Sequence, residues 1–579
     1  MSLVNKQDII TLAHLDKVGL EFAADLFMQA FGLKRLNEFY AGLTGKHGLE
    51  FLDAAFKELN ITCKVDAAEL ANLPANGPFI LVSNHPFGLL DGMMLIRVIC
   101  EKRPDFKVMA NFMLQKIEPI SQYFIYVDPF EGEEMKAKNI RGMKDAMRHL
   151  ATGSPLGIFP AGEVSTYQKG FTNIRDKDWN LSVLKLIKKV AVPVLPVYFH
   201  GGNRLIFHLL GKIHPALRTA TIPSEMFHKQ DHVIRLRIGS AMNAQDQQKF
   251  ATAEDLGRYL RAKVYALGSA WSEKKSFQQR LQSLISPRKI IDAVDPAVLQ
   301  KEIESIRHHR LLHEKGYLEV FAAPSAEIPN ILREIGRLRE VTFRKIGEGT
   351  YKSIDLDEFD DYYEHLFLWD NNEHKIVGAY RLGRGDEIYA KKGERGFYNA
   401  TLFEFSEQFI SYLKNTLELG RSFVTGEYQK KTFPLFLLWK GIEKYLSVHR
   451  QYHYLLGTVS ISSSYSEVSR ALLMQFIRRN YFDEKLAALV KVKKEFEVEE
   501  DEELASLLDH FPCSLQEMDK LISEIEPAHY KVPVLLKKYI RQNARIIGFD
   551  IDPKFNNSLD GLMMLDLKNL PEDTLYKEI

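Results

Sequence analysis

Cysteine is scarce in this 579-residue chain: Cys63, Cys100 and Cys513 stand far apart and without metal-ligand spacing. That excludes a disulfide framework and a zinc site, and it points to a reducing compartment. An excess of one charge is missing too. Lys and Arg number 77 against 76 Asp and Glu, so the chain as a whole is no polyanion binder, and no nucleic-acid partner is expected. Any attraction to a membrane or a carrier has to come from local patches. No run approaches the roughly eighteen apolar residues of a spanning helix; the apolar stretch 190–199 is short and contains Pro193 and Pro196. Asp8 precedes any apolar run, so no signal peptide is expected. These absences predict a cytoplasmic protein, with a place on the membrane surface left open. What is present is a globular balance, 45% hydrophobic and 26% charged residues, over a length that demands more than one core.

Leu15, Val18, Phe22, Ala23, Leu26, Phe27, Ala30 and Phe31 recur at helical spacing. They give one apolar face, buried against the following domain or inserted into a lipid interface. From Phe79 onward, short apolar runs alternate with helical patterns. Segments 79–83, 107–110, 156–159 and 194–198 predict buried strands of an α/β domain with a largely parallel sheet. A polar connector over 271–315 leads to a second α/β region, opening with a strand at 316–321. Two α/β domains are therefore expected, 1–285 and 286–579, and the acidic run 497–503 reads as a solvated surface element.

His85 and Asp91 directly follow the strand at 79–83. Imidazole is suited to take a proton near neutral pH, and a carboxylate can hold its tautomer and stabilise the imidazolium. On a straight helix that spacing would put the two on different faces, but Pro86 and Gly88 predict a turn that brings them together. Phe159-Pro160-Ala161-Gly162-Glu163 ends another strand, and Val192-Pro193-Val194-Leu195-Pro196 leads to His200-Gly201-Gly202-Asn203. In this order the blocks resemble the glycerolipid acyltransferase family of the lysophosphatidic acid synthase type, over roughly residues 60–270. The resemblance implies His85 as base and Asp91 as its orienting partner. It places Asn84, Gly88, Phe159, Pro160, Gly162, Glu163 and Pro196 at the substrate.

The departures from that family carry information. Five residues separate His85 from Asp91, where the family has four. Asp128 stands where the family has a basic phosphate ligand, and Glu163-Val164 replace its Thr-Arg. A phosphate without its cations is costly to desolvate. The expected acceptor therefore lacks phosphate and is cationic, with Asp128 and Glu163 facing an ammonium, unless Arg141 or Lys169 substitutes from a nearby loop. Segment 203–214 mixes basic and bulky apolar residues. It is either a surface helix meeting lipid or a packed helix with a solvated basic edge.

In the rear half, Arg339 and Phe343 are spaced Arg-x-x-x-Phe, followed by Asp357-Glu358-Phe359-Asp360, Gly378-x-x-Arg381-Leu382 and Glu418-x-x-Arg421. An amine must lose a proton before it attacks a thioester, and the resulting oxyanion needs N–H donors such as a splayed strand supplies. Surface salt bridges account for the spacing alone equally well. The order, however, resembles the acyl-homoserine-lactone synthases, a branch of the GNAT N-acyltransferase fold. Segments 433–442, 457–462 and 531–539 are similar to the ornithine-lipid N-acyltransferases of that branch.

This resemblance implies that Arg339, Phe343, Asp357, Asp360, Arg381 and Arg421 line or support the site, and that Glu418 accepts the proton. It also implies acyl carrier protein (or acyl-CoA) as donor, with no bound cofactor and no metal. The two halves together resemble the bifunctional ornithine-lipid synthase type. That implies N-acylation of an amino acid, ornithine favoured over glycine, with a 3-hydroxyacyl group, then O-acylation of the lyso-aminolipid. Such an enzyme is expected to be peripheral on the cytoplasmic face of the inner membrane. Two alternatives stay open: a lysophospholipid acyltransferase with a rear domain of other role, and an N-acyltransferase with a non-catalytic, membrane-binding front. A haemolysin-like pore would need a spanning segment, which the sequence lacks.

Overall fold

The computed structural model describes residues 3, 28–29, 32–127, 133–168, 174–213, 218, 220–272, 287–431, 433–497, 502–509, 514–526 and 530–571. Asp128, Lys169, Cys513, the boundary at 285 and all eight residues of the apolar series from Leu15 to Phe31 lie outside the described residues, as does the middle of the acidic run. The chain divides into two compact units, 1–272 with 501–511, and 273–500 with 512–579.

The front unit is built on a seven-stranded sheet. Its strands are β1 (Thr62–Val65), β2 (Ile80–Ser83), β3 (Lys107–Asn111), β4 (Phe124–Val127), β5 (Leu156–Ile158), β8 (Val194–His200) and β9 (Val233–Ile238). A separate small ribbon pairs β6 (Thr166–Tyr167) with β7 (Ile174–Arg175). The spatial order is β1-β9-β8-β2-β5-β3-β4, parallel except where β8 meets β9. β2 is buried at every position, as a central strand covered on both faces must be.

Helix α1 (Leu89–Ile99) follows β2, and Leu90, Met93, Met94, Leu95 and Ile96 join the core beside Phe79, Leu81 and Phe106. Each fully buried side chain of this size contributes about 1.5–3 kcal/mol. The sequence interval to the helix Glu502–Asp509 is long, yet within this unit that helix packs on the helix Ala253–Ser272.

The rear unit holds an eight-stranded sheet. Its strands in chain order are β10 (Leu311–Lys315), β11 (Leu318–Pro324), β12 (Glu364–Asp370), β13 (Lys375–Arg384), β15 (Thr416–Val424), β16 (Tyr454–Ile461), β18 (Arg545–Asp552) and β19 (Ser558–Asp566). β14 (Phe403–Phe405) and β17 (Val490–Val492) form a side ribbon. The order is β10-β11-β12-β13-β15-β16-β19-β18, antiparallel throughout except β15 with β16. The strand expected at 316–321 begins at Leu318 instead, because Gly316 takes φ 64° in the tight turn out of β10.

Helix α2 (Pro329–Lys345) packs with Ile331 and Ile335 in the cluster that holds Phe321 and Phe367. Helix α3 (Pro434–Val448) sits on the other face, where a Cβ on Gly441 would meet Val320 and Leu366.

Candidate active sites

The turn between β2 and α1 makes the front site. Gly88 adopts φ 80°, and a Cβ there would come within 3.2 Å of Ile222 and 3.3 Å of Val164, so both backbone and space call for glycine. This turn lets Asp91 reach back from the first helical turn. Its Oδ2 accepts the Phe87 N–H at 2.9 Å, the Gly88 N–H at 3.0 Å and His85 Nδ1 at 2.8 Å. Burial pushes the Asp91 carboxyl up, and its hydrogen bonds to His85, Phe87 and Gly88 oppose that push. With Asp91 accepting, Nδ1 carries the ring proton and Nε2 keeps its lone pair. Asp91 is fully buried, whereas the His85 side chain is 18% exposed. Part of the imidazole is therefore open to an incoming group.

The ring is fixed from its other side as well. Phe159 stacks on it with centroids 4.0 Å apart. Pro160 and Gly162 form the turn beside it: the Gly162 N–H bonds the Phe159 carbonyl at 3.0 Å, and Pro160 O accepts the Asn180 N–H at 2.9 Å. The His85 backbone is clamped by Ser165, whose N–H donates to His85 O at 2.8 Å. The His85 N–H faces Ser165 Oγ and Asp176 Oδ1, each at 3.2 Å. Asp176 is fully buried and also accepts Ser165 Oγ–H at 2.5 Å and the Trp179 indole at 3.2 Å. Asp176 lies in no recognised block, and nothing in its local sequence signals this role.

Three residues expected at the substrate sit elsewhere. Asn84 is a buried staple: its Nδ2 donates to Phe199 O at 2.9 Å and its Oδ1 accepts the Phe199 N–H at 2.8 Å, tying β2 to β8. Pro196 lies within β8 opposite Val82, its ring filling the space over Gly239. Glu163 does not await a ligand cation. Arg218 bonds its Oε2 and Lys177 Nζ lies 2.5 Å from its Oε1. Its carboxyl is held below the usual range because these two cations outweigh the burial that would raise it.

In the segment after Asn203, helix Leu205–Ile213 buries Phe207 and His208, while Leu205, Ile206 and Leu209 are 61%, 54% and 49% exposed. The exposed side chains described on this helix are apolar, and Arg204, 43% exposed, stands just before it. Among the described residues no helix is long and apolar enough to cross a membrane.

In the rear unit the expected charged residues converge in one alternating chain. Arg339 Nη1 donates to Asp360 Oδ1 at 2.7 Å, and Arg381 Nη1 lies 3.4 Å from the same oxygen. Arg381 Nη1 bonds Asp357 Oδ1 at 2.5 Å, Arg421 Nη2 bonds Asp357 Oδ2 at 2.9 Å, and Arg421 Nε is 3.7 Å from Asp355. Burial would raise the Asp360 carboxyl, but Arg339 and Arg381 hold it far below the usual carboxylate range. The faces of Arg381 lie over Phe359, Tyr363 and Tyr398 at 5.2–5.4 Å, which compensates for buried donors left without acceptors. Asp355 and Tyr398 were not foreseen as members.

β15 carries a bulge here: Ala379 faces Phe423 and Arg381 faces Gly420, so Arg421 and Ser422 stand against one residue. Arg421 takes φ 51° and is aimed across Phe555 at 4.1 Å. Phe343 packs against Phe423 and the same Phe555. β15 and β16 pair only from Thr416↔Tyr454 to Glu418↔Leu456, although both strands run on. Past that point they part, leaving a wedge of backbone in which N–H groups can meet a thioester oxygen.

Glu418 was expected as proton acceptor, but it sits at the root of the wedge with its oxygens occupied. Tyr363 O–H bonds Oε2, and the Tyr398 and Asn399 N–H groups donate at 3.1 and 2.9 Å. It holds the Tyr398 turn in place.

Two acyl-transfer folds in one chain define an acyltransferase: residues 33–272 match the family described as acyltransferase, and residues 338–439 match the acetyltransferase (GNAT) domain. The glycine N(alpha)-acyltransferase of Bacteroides thetaiotaomicron is 31% identical over 306 residues, 50% of this chain and 89% of that protein. This chain belongs to that enzyme's family and carries the acyltransferase domain in addition. The glycine N(alpha)-acyltransferase of Phocaeicola vulgatus is 29% identical over 303 residues, 50% of this chain and 92% of that protein. The lyso-glycine lipid O-acyltransferase of P. vulgatus is 27% identical over 239 residues, 40% of this chain and 82% of that protein.

Proposed function

We propose that this enzyme makes a diacylated aminolipid in two steps. In the rear unit the α-amine of an amino acid attacks a 3-hydroxyacyl thioester carried on acyl carrier protein, or failing that on coenzyme A. The oxyanion forms in the wedge between β15 and β16. In the front unit His85 Nε2 removes the proton of the new 3-hydroxyl, which attacks a second acyl thioester, while Asp91 stabilises the imidazolium. General-base help of this kind is worth about 10²–10⁴-fold. The carrying observation is the His85–Asp91 couple, oriented and accessible at 2.8 Å, in a chain that also has a GNAT domain. The existence of separate relatives named for N- and for O-acylation supports the same division of labour.

The pairing of Glu163 with Arg218 and Lys177 removes one reason for preferring a cationic acceptor. Glycine, named in the relatives, therefore comes first and ornithine second. The exposed Leu205, Ile206 and Leu209 edge supports a peripheral position on the cytoplasmic side of the membrane.

The test is expression in a host without aminolipids, followed by mass spectrometry of total lipid. Wild type is expected to give the diacyl product and His85→Ala the monoacyl amide alone. Equal loss of both products in a folded His85→Ala protein would overturn the scheme. Supplying purified enzyme with glycine or ornithine, and with either donor, settles both choices.

A further inference from the structure

Strands β18 and β19 place Asp552 opposite Ser558 and Asp550 opposite Asp560. Pleating puts all four on one face. Ser460, opposite Asp560 on β16, shares that face beyond the point where β15 and β16 part. A further carboxylate arrives from the turn after α2. Asn556, in the β18–β19 connection, donates through Nδ2 to Gly347 O at 3.0 Å, which fixes that turn beside the hairpin. The next residue, Glu348, feels the charge of both Asp560 and Asp552. Glu348, Asp552 and Asp560 are 7%, 0% and 2% exposed.

Hydrogen bonds reach the two aspartates. Tyr398 O–H and the Lys554 N–H donate to Asp552 at 2.9 and 2.7 Å, and Ser558 Oγ–H donates to Asp560 at 2.8 Å. The Glu348 side chain is buried and has no hydrogen-bond or ion-pair partner among the described residues. Among the described residues no cation forms an ion pair with any of these three. Arg421 is the guanidinium that faces Asp560, and it is bonded to Asp357. Three buried carboxylates without a counter-charge are costly unless a cation or protons are supplied. Among the described residues no group of acids, histidines or cysteines is arranged to hold a metal ion. A hydrogen-bonding organic cation suits the place better.

We propose that Glu348, Asp552 and Asp560 form the subsite that takes the α-ammonium group of the acceptor amino acid, with Glu348 receiving its proton. This rests on the N-acyl transfer proposed above and gives that site its acceptor end. The ammonium loses one proton to the free Glu348 carboxylate. The amine then forms the C–N bond as the thioester C–S bond breaks, and the departing thiolate takes the second proton from nitrogen. Burial and the neighbouring aspartates push the Glu348 carboxyl up to about 8 and the Asp560 carboxyl to about 7, in the range where a carboxylate can accept such a proton and pass it on. Tyr465 and Arg421 also face this pair of acids.

The experiment compares wild type with Glu348→Gln and Asp560→Asn, full-length, in N-acylation of glycine and of ornithine. KM for the amino acid is expected to rise about 30-fold or more, with KM for the acyl thioester unchanged. The acid limb of the N-acylation pH profile is expected to vanish in Glu348→Gln. The unchanged KM for the acyl thioester shows that the rear unit of the variants folds, and O-acylation of supplied N-acyl amino acid should stay at the wild-type rate. Unchanged amino-acid KM in both variants would overturn the proposal, as would a rise for ornithine alone, which would assign the cluster to a side-chain ammonium. Absence of any N-acylated product from wild type would instead defeat the function itself.

Discussion

His85 Nδ1 lies 2.8 Å from Asp91 Oδ2, and that oxygen is the one held by the N–H groups of Phe87 and Gly88. The carboxylate is thus anchored by the helix start before it orients the ring, and the imidazole cannot turn without breaking a bond to a buried charge. Asp91→Asn keeps the shape but lets Nδ1 lose its proton to the wrong tautomer. O-acylation is expected to fall about 10³–10⁴-fold, with N-acylation untouched. Steady-state assays of each half-reaction check this; equal losses in both would contradict it.

Asp360 sits between Arg339 and Arg381, with all three side chains almost completely buried. Asp360→Asn leaves a buried guanidinium without its counter-charge. The expected loss is about 3–5 kcal/mol of stability, read as an earlier urea transition of the full-length protein. A midpoint within error of wild type would show that the network is solvated.

The raised acids have a signature in stability. Glu348 and Asp560 hold their protons up to about 8 and about 7 when folded, against roughly 4 in an unfolded chain. Between those limits the folded protein binds more protons than the unfolded one, so stability falls as pH rises. The thermal midpoint of wild type relative to a Glu348→Gln/Asp560→Asn double variant is therefore expected to drop between pH about 5 and pH about 8.5. A constant difference across that range would rule it out.

Leu205, Ile206 and Leu209 present apolar surface where segment 203–214 had offered either lipid contact or a basic solvated edge. Leu205→Asp with Ile206→Asp is expected to reduce co-sedimentation with phospholipid vesicles by about tenfold or more. Activity on short, soluble substrates should be unaffected. Undiminished vesicle binding would move the membrane contact elsewhere on the chain.

The sequence was most legible where function is local. His85, Pro86, Gly88 and Asp91 fall within one turn, and the buried runs at β2, β3, β5 and β8 carry their strand character in their own residues. It was least legible where a charge is answered from afar. Asp176 clamps the His85 N–H from 91 positions away, and Arg218 reaches Glu163 across 55. Glu163 therefore looked free, and no local pattern could have revealed its partner. Glu348 and Asp560 share a face only because a hairpin folds beside a helix end. Asn84 and Pro196 looked like site residues because they lie in the motifs, yet each holds strands together. Arg339, Asp357, Asp360, Arg381 and Arg421 form one network, which their order in the chain had suggested and their spacing had not.

The short run of pairing between β15 and β16, three residue pairs from Thr416↔Tyr454 to Glu418↔Leu456, leaves the rear sheet joined at that point by little backbone. The continuous ladders on either side, five strands and three, cannot protect amides across such a seam. Hydrogen exchange should divide the unit there, the block from β10 to β15 opening as one cooperative piece and the block of β16, β19 and β18 as another. A thioester lodged in the wedge would knit the two and slow exchange on both sides. The enzyme would then be stiffest at the moment its donor is in place.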